Sequence, residues 1–143
     1  MHEVVSLITG APGWLGTRLA EVLTNPLDPL FQQYSDRRSR LVRTLVLPGY
    51  DTSTLPSQNI EIVRGNILDT QSLVAAMKGV HTVFHCAGII HPKRIRDLFD
   101  INFLGTKNIL EAAVAAGVKR LIYISSNSAG GVNLTHDSLL REN

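Results

Sequence analysis

Val4-Val5-Ser6-Leu7-Ile8-Thr9-Gly10-Ala11-Pro12-Gly13-Trp14-Leu15-Gly16 is the stretch that decides the fold. An apolar run from Val4 to Ile8 stops at Thr9-Gly10, and glycines then recur at three-residue spacing: Gly10, Gly13 and Gly16. A segment of helical composition, Thr17 to Leu23, follows. The pattern predicts a buried strand, a tight turn and the N-terminus of a helix. A glycine at the strand end lets the chain turn where a side chain would restrict φ and ψ. The second glycine lets a ligand approach the backbone, and the third lets the helix lie close to the sheet. The first N–H groups of a helix have no partner within it, and with the helix dipole they form an anion site at the turn. At the first βα turn of a doubly wound sheet, such a site points to the pyrophosphate of a dinucleotide.

Outward from this turn, strand and helix signals alternate. The first helix is expected from Trp14 to Leu23, broken by Asn25-Pro26 because proline disfavours a helical residue before it. Residues 25–40 read as a surface insertion with a short helical turn at Leu30 to Tyr34 and the arginines Arg37, Arg38 and Arg40. Those arginines read as a solvated loop or as a contact to a cofactor phosphate or acidic partner. Further strands are expected at Leu41–Leu47, Ile60–Val63, Thr82–Cys86 and Leu121–Ile124. Asp69 can cap a helix from Gln71 to Lys78, and Gly79 suits its C-terminal αL position. A long amphipathic helix is expected from Arg94 to Ala116, ended by Gly117, with Gly105 allowing a close approach. The alternation predicts an α/β, Rossmann-like, doubly wound parallel sheet of order 3-2-1-4-5, as one domain over residues 1–143.

Composition excludes several classes. A net charge of +2 gives no general electrostatic case for nucleic acid or membrane, and the Arg37–Arg43 cluster is short and lacks interleaved aromatics. No apolar stretch is long enough to span a bilayer, and Val4–Ile8 is too short for a signal peptide. One cysteine, Cys86, rules out an intrachain disulfide and fits a reducing compartment, so a cytoplasmic protein is expected. His81, His91 and His136 have no Cys or carboxylate partners at metal spacing, so no metal site is expected. Ligands in open parallel sheets bind beyond the carboxyl ends of the strands. The residues placed there are the glycine turn, Leu47 to Asp51, Asn66-Ile67, Cys86 to Ile89, and Ser125 to Ser128.

These segments together resemble the extended branch of the short-chain dehydrogenase/reductase superfamily, the NAD-dependent epimerase/dehydratase family. The turn has its Thr-Gly-x-x-Gly-x-x-Gly form with an aromatic-aliphatic pair in the last gap. Gly65-Asn66-Ile67-Leu68-Asp69 is similar to its Gly-Asp-Leu/Ile-x-Asp segment. His85-Cys86-Ala87-Gly88 is similar to its His-x-Ala-Ala/Gly segment, and Asn102 to Thr106 to its Asn-x-x-Gly-Thr helix. Tyr123 to Gly131 resembles its strand-Ser-Ser segment. The resemblance covers essentially the whole chain and implies bound NAD or NADP. It assigns the pyrophosphate turn to Gly10, Gly13, Trp14, Leu15 and Gly16, although the Trp14 side chain itself reads as helix–sheet packing. It puts Asn66 and Ile67 at the adenine, lets Cys86, Ala87, Gly88 and Ser125 line the cofactor, and sets Asn102 by the nicotinamide side. Ser126 matches the position whose hydroxyl assists catalysis. His85 reads as a packing residue rather than a base.

Three departures stand out. Asn66 replaces the usual Asp, keeping an acceptor but losing the charge. Leu47 stands near the end of the second strand, where an acidic residue would favour NAD and an arginine NADP, so the choice stays open. Asp36, about 20 residues past the glycines, falls in the insertion rather than at a strand end. The family's reaction also needs a Tyr-x-x-x-Lys pair, in which the lysine lowers the tyrosine pKa for proton transfer. Tyr34, Tyr50 and Tyr123 are followed four residues on by Arg38, Thr54 and Asn127. The expectation is therefore an N-terminal portion, ending before the catalytic helix, that is inactive alone. Its parent would act on a small molecule, a nucleotide sugar first (epimerase or dehydratase), and next a ketone or 3β-hydroxysteroid. A homodimer of the parent is left open. The reading of another class is a non-catalytic NAD(P)-sensing module.

Overall fold

The computed structural model describes residues 4–25 and 40–126. Residues 26–39 of the predicted insertion at 25–40, with its Leu30–Tyr34 turn, and the stretch from Asn127 onward lie outside the described residues. The elements run β1 (Val4–Thr9), α1 (Trp14–Thr24), β2 (Arg40–Val46), β3 (Ile60–Arg64), α2 (Thr70–Met77), β4 (Val80–His85), α3 (Ile95–Leu98), a π-helical stretch (Phe99–Gly105), α4 (Thr106–Ala115) and β5 (Arg120–Tyr123). The sheet has the expected order β3-β2-β1-β4-β5, and every neighbouring pair is parallel.

The sheet is covered on both faces, which is why β1 is largely apolar rather than alternating. Leu7, Leu45 and Val83 pack with Leu73 and Met77 of α2 and Ile109 and Ala113 of α4. Ile8 and Val46, next in the chain to Leu7 and Leu45, turn to the opposite face and pack with Val42 and with Ala20 of α1. The connection from β2 to β3 has no helix. Buried Leu55 inserts from it into the α1-side cluster instead.

Several strand ends differ by a residue or two from the sequence reading. β2 closes at Val46 rather than Leu47, and β4 begins at Val80 and closes at His85, leaving Cys86 outside. Ladder bonds set these limits, whereas composition follows only burial. Asp69 does cap α2, its carboxylate accepting from the Gln71 N–H at 3.0 Å. Gly79 and Gly117 take positive φ, both 70°.

The predicted helix from Arg94 to Ala116 needs a correction. It is not uniformly α-helical: between α3 and α4, seven residues wind as a π-helix, with Asn102 in its middle. Gly105 closes this stretch at the expected tight approach. A Cβ there would run into the Ile67 side chain.

Candidate functional site

The chain reverses its direction of winding at β1. It goes out to β2 and β3, then returns past β1 to β4 and β5. The crevice outside the strand ends at such a switch point is where doubly wound folds bind ligands. A cleft of about 380 Å³ lies there. Of the sequence-predicted residues, Gly10, Gly13, Asn66, Ile67, Ala87 and Gly88 form its walls, joined by Leu47, Tyr50, Ile89 and Ile101.

The glycine turn is locked onto β4. Gly10 has φ +84°, and a Cβ on it would lie 2.6 Å from the Ala87 nitrogen and the Cys86 carbonyl carbon. So two backbones meet across the switch point, which only glycine at this position permits. Gly16 corrects the sequence reading. A Cβ there would strike the Gly10 carbonyl and the Ala11 nitrogen at 2.8 Å, so it lets the helix close on its own turn rather than on the sheet.

Thr17 N–H makes the first bond of α1, to the Gly13 carbonyl at 2.9 Å. The N–H groups of Trp14, Leu15 and Gly16 therefore have no carbonyl within the helix. No side chain caps this end, and its first turn holds no acidic residue. An uncapped, uncontested helix N-terminus above a glycine turn fits an anionic ligand group such as a pyrophosphate. Trp14 departs from its expected packing role: it is 84% exposed at the head of α1.

Asn66 also shapes the chain beside the cleft wall. Its Oδ1 accepts from the Leu68 N–H at 2.9 Å. The acceptor that the asparagine keeps is thus used in a local turn, and its backbone N–H is held by Ser72 Oγ at 3.0 Å. On the β4 side, Asn102 grips one residue twice. Its Oδ1 accepts from Ile89 N–H and its Nδ2 donates to the Ile89 carbonyl, both at 2.8 Å. The amide is spent on the backbone, so it orders the cleft wall that Ile89 belongs to. A π-helical turn is a common means of setting one side chain at a functional site.

Beneath that wall runs a buried polar chain. Ala87 N–H donates to Thr9 Oγ1 (3.2 Å), which sits 2.6 Å from His85 Nδ1, and His85 Nε2 lies 2.9 Å from Thr106 Oγ1. The His85 ring stacks on Tyr123 with centroids 5.5 Å apart. Both ring nitrogens of His85 are therefore paired with a threonine hydroxyl. Burial holds His85 at a pKa of about 4, so it is neutral and serves packing, as its sequence setting implied. Burial also raises the Cys86 thiol, which keeps it protonated and inert. Sequence reasoning passed over Thr9 and Thr106. The signals were present: a lone hydroxyl ending an apolar strand, and another closing the Asn-x-x-Gly-Thr segment.

Ser125 and Ser126 follow β5 on the same rim and are exposed. They are not among the cleft walls, and neither are Trp14, Leu15, Gly16, Cys86 and Asn102. Arg43, inside β2, is committed elsewhere. It donates to Glu61 Oε2 (2.8 Å) and to the carbonyls of Ala76 and Lys78 (2.8 and 2.7 Å). Among the described residues, no three His, Cys, Asp or Glu side chains are grouped to hold a metal ion. Nor is any helix there long and apolar enough to cross a membrane.

The family model for 3-beta hydroxysteroid dehydrogenase/isomerase matches residues 7–143. An uncharacterised protein of Sinorhizobium fredii is 42% identical over 99% of this chain and 40% of its own length. A 3 beta-hydroxysteroid dehydrogenase/Delta 5→4-isomerase of Mycobacterium tuberculosis is 34% identical, over 90% of this chain and 34% of its own. Among solved structures, a dTDP-glucose 4,6-dehydratase from Streptomyces venezuelae with NAD bound superposes with a TM-score of 0.73 at 26% identity. That match covers 96% of this chain and 45% of the dehydratase. The chain thus spans two-fifths or less of the length of these curated relatives.

Proposed function

Because the chain belongs to the 3-beta hydroxysteroid dehydrogenase/isomerase family, within the extended short-chain dehydrogenase/reductases, we propose that it is the NAD(P)-binding portion of an oxidoreductase. The parent moves a hydride between the nicotinamide and a substrate carbon bearing a hydroxyl or carbonyl. The observation that carries this reading is the uncapped N-terminus of α1, set over a glycine turn at the head of the switch-point cleft. The N–H groups of Trp14, Leu15 and Gly16 hold the pyrophosphate. Leu47, Tyr50, Asn66 and Ile67 bound the adenosine side, and Ala87 to Ile89, with Asn102 behind them, bound the nicotinamide side. The bound cofactor supplies the hydride acceptor or donor, while the chain supplies position and a dry wall.

Ser126 acts as a hydrogen-bonding hydroxyl at the substrate oxygen. A sterol-type alcohol becomes the leading substrate class, ahead of a nucleotide sugar, supported by the family match and the mycobacterial relative. The dehydratase likeness supports the nucleotide-sugar reading. The parent is a cytoplasmic protein and a homodimer in this reading, the latter supported by the exposed apolar residues Ile95, Phe99, Phe103 and Val114 along the α3–α4 run. Fold likeness alone does not fix activity.

The test is to incubate the parent protein with NAD+ or NADP+ and either a 3β-hydroxysteroid or a uridine or thymidine diphosphate sugar. Net reduction of the nicotinamide by the steroid is followed in the near ultraviolet, and turnover of the sugar, which returns the hydride, is followed by chromatography of the product. Reduction with the steroid, lost in Ser126→Ala, supports the proposal. Tight dinucleotide binding with no turnover of either class would favour the sensing module instead.

A further inference from the structure

Asn66 opens the turn after β3, and one arm of its side-chain amide is left unused. Of the described residues that line the cleft, only Tyr50 and Asn66 carry polar side-chain atoms. A phenolic hydroxyl both donates and accepts, so Tyr50 does not tell one purine edge from another. An amide does, because its oxygen only accepts and its nitrogen only donates. The Asn66 amide is also fixed in place. Its own N–H donates to Ser72 Oγ at 3.0 Å, and its carbonyl accepts from the Asp69 N–H at 2.9 Å. The next carbonyl, of Ile67, accepts from Asn108 Nδ2 at 3.0 Å. In the side chain, Oδ1 accepts from the Leu68 N–H at 2.9 Å. A backbone N–H can only donate, so that bond settles which arm of the amide is oxygen. Nδ2 is the other arm, and no described residue bonds to it. An aspartate in the same rotamer would give one oxygen to Leu68 and place its second oxygen where Nδ2 stands. Position 66 therefore presents a donor where a carboxylate would present an acceptor.

The two halves of a doubly wound sheet each take one mononucleotide of a dinucleotide, with the adenosine ribose read at the end of β2. Asn66, one strand further out, borders the base of that half. Adenine carries a 6-amino group, which donates, whereas hypoxanthine and guanine carry a 6-oxo group, which accepts. A donor set against a donor leaves both without a partner once water is displaced, while a bond from Nδ2 to a 6-oxo oxygen satisfies both. We infer that Asn66 selects the base at this end of the dinucleotide and favours a 6-oxopurine over adenine. The inference rests on the NAD(P) reading above and names the purine class that its base pocket takes.

The experiment compares NAD+ with nicotinamide hypoxanthine dinucleotide, in which only the 6-amino group of the purine is replaced by oxygen, and repeats the pair with a 2′-phosphate on each. Isothermal titration calorimetry gives the dissociation constants for the 143-residue chain and its Asn66→Asp variant. Within whichever pair binds more tightly, the hypoxanthine form is expected to bind about threefold tighter than the adenine form. Asn66→Asp keeps an acceptor for the Leu68 N–H, and so keeps the turn. It is expected to reverse the order and favour the adenine form by about tenfold. A merely structural role for Asn66 would move both forms together and leave their ratio alone. Equal or tighter binding of the adenine form by the unaltered chain would overturn the inference, as would an unchanged ratio in Asn66→Asp. Should the variant fail to fold, the ratio in the unaltered chain decides. If none of the four dinucleotides binds, the cofactor reading itself falls and this inference with it. If the adenine forms bind and the hypoxanthine forms bind no better, the inference alone falls.

Discussion

Gly10→Ala separates two costs that are usually confounded. Gly10 sits at φ +84° with the β4 backbone against its α-carbon. Gly79 sits at φ +70° with nothing within 4 Å of where a Cβ would be. The conformational cost is common to both: an alanine in the left-handed region loses roughly 1–2 kcal/mol, and the stiffer unfolded chain returns about 0.4–1 kcal/mol of it. Gly79→Ala should therefore cost about 1 kcal/mol. Gly10→Ala adds a methyl 2.6 Å from the Ala87 nitrogen and the Cys86 carbonyl carbon. Neither atom belongs to a flexible side chain that could swing away, so β1 and β4 must part. Overpacking of this kind costs a further 1–3 kcal/mol or so, which brings the total to about 2–4 kcal/mol. Against a total stability of about 5–15 kcal/mol for a domain, that is a large fraction. Urea unfolding of the two variants beside the unaltered chain reads the difference from their midpoints. Dinucleotide affinity should fall in Gly10→Ala, because Ala87 is displaced, and stay unchanged in Gly79→Ala. Equal destabilisation by the two substitutions would show that the backbone contact across the switch point carries no weight.

Other outcomes follow from the same contacts. His85 has its folded pKa depressed from 6.5 to about 4, so the unfolded chain takes up the proton first. Stability is then fully present above pH 6.5 and falls by about 3 kcal/mol as pH drops toward 4. Unfolding midpoints taken across that window should flatten in His85→Asn, and an unchanged slope would contradict the assignment. Arg43→Met removes the donor that holds Glu61 and the carbonyls of Ala76 and Lys78. A loss of about 2 kcal/mol by thermal unfolding is expected. Cofactor affinity should not change, since Arg43 is no part of the cleft wall. Asp69→Ala deletes the cap on the Gln71 N–H and should cost about 1 kcal/mol. No measurable loss would mean that solvent caps α2 equally well.

The sheet order was legible because the strands are bounded by Gly, Pro or Asn, and the helices that lead from β1 to β2, β3 to β4 and β4 to β5 make those crossovers parallel. The Asp69 cap and the αL glycines at 79 and 117 were legible for the same local reason. What escaped the sequence is side-chain traffic between distant segments. Nothing in Thr9 or Thr106 declares that both will meet His85, since the Thr9 partner is 76 residues away. The π-helical stretch was hidden because its composition is ordinary for an α-helix, while its middle is drawn toward Ile89 by the two bonds of Asn102. Trp14 reads as packing because aromatic residues usually pack, yet at the head of α1 it is exposed. The turn by which Asn66 accepts from the Leu68 N–H leaves no periodic trace in the sequence.

The measurement that tests the central claim most directly is a titration of the isotopically labelled chain with NAD+, NADH, NADP+ and NADPH, followed through its backbone amide resonances. The account predicts saturable shifts centred on Gly10, Trp14, Leu15 and Gly16, extending to Asn66 on one side and Ala87 and Gly88 on the other. Whichever of the four binds most tightly then fixes the cofactor preference. A folded chain whose resonances stay unmoved by all four, or move only away from the switch-point cleft, would contradict it.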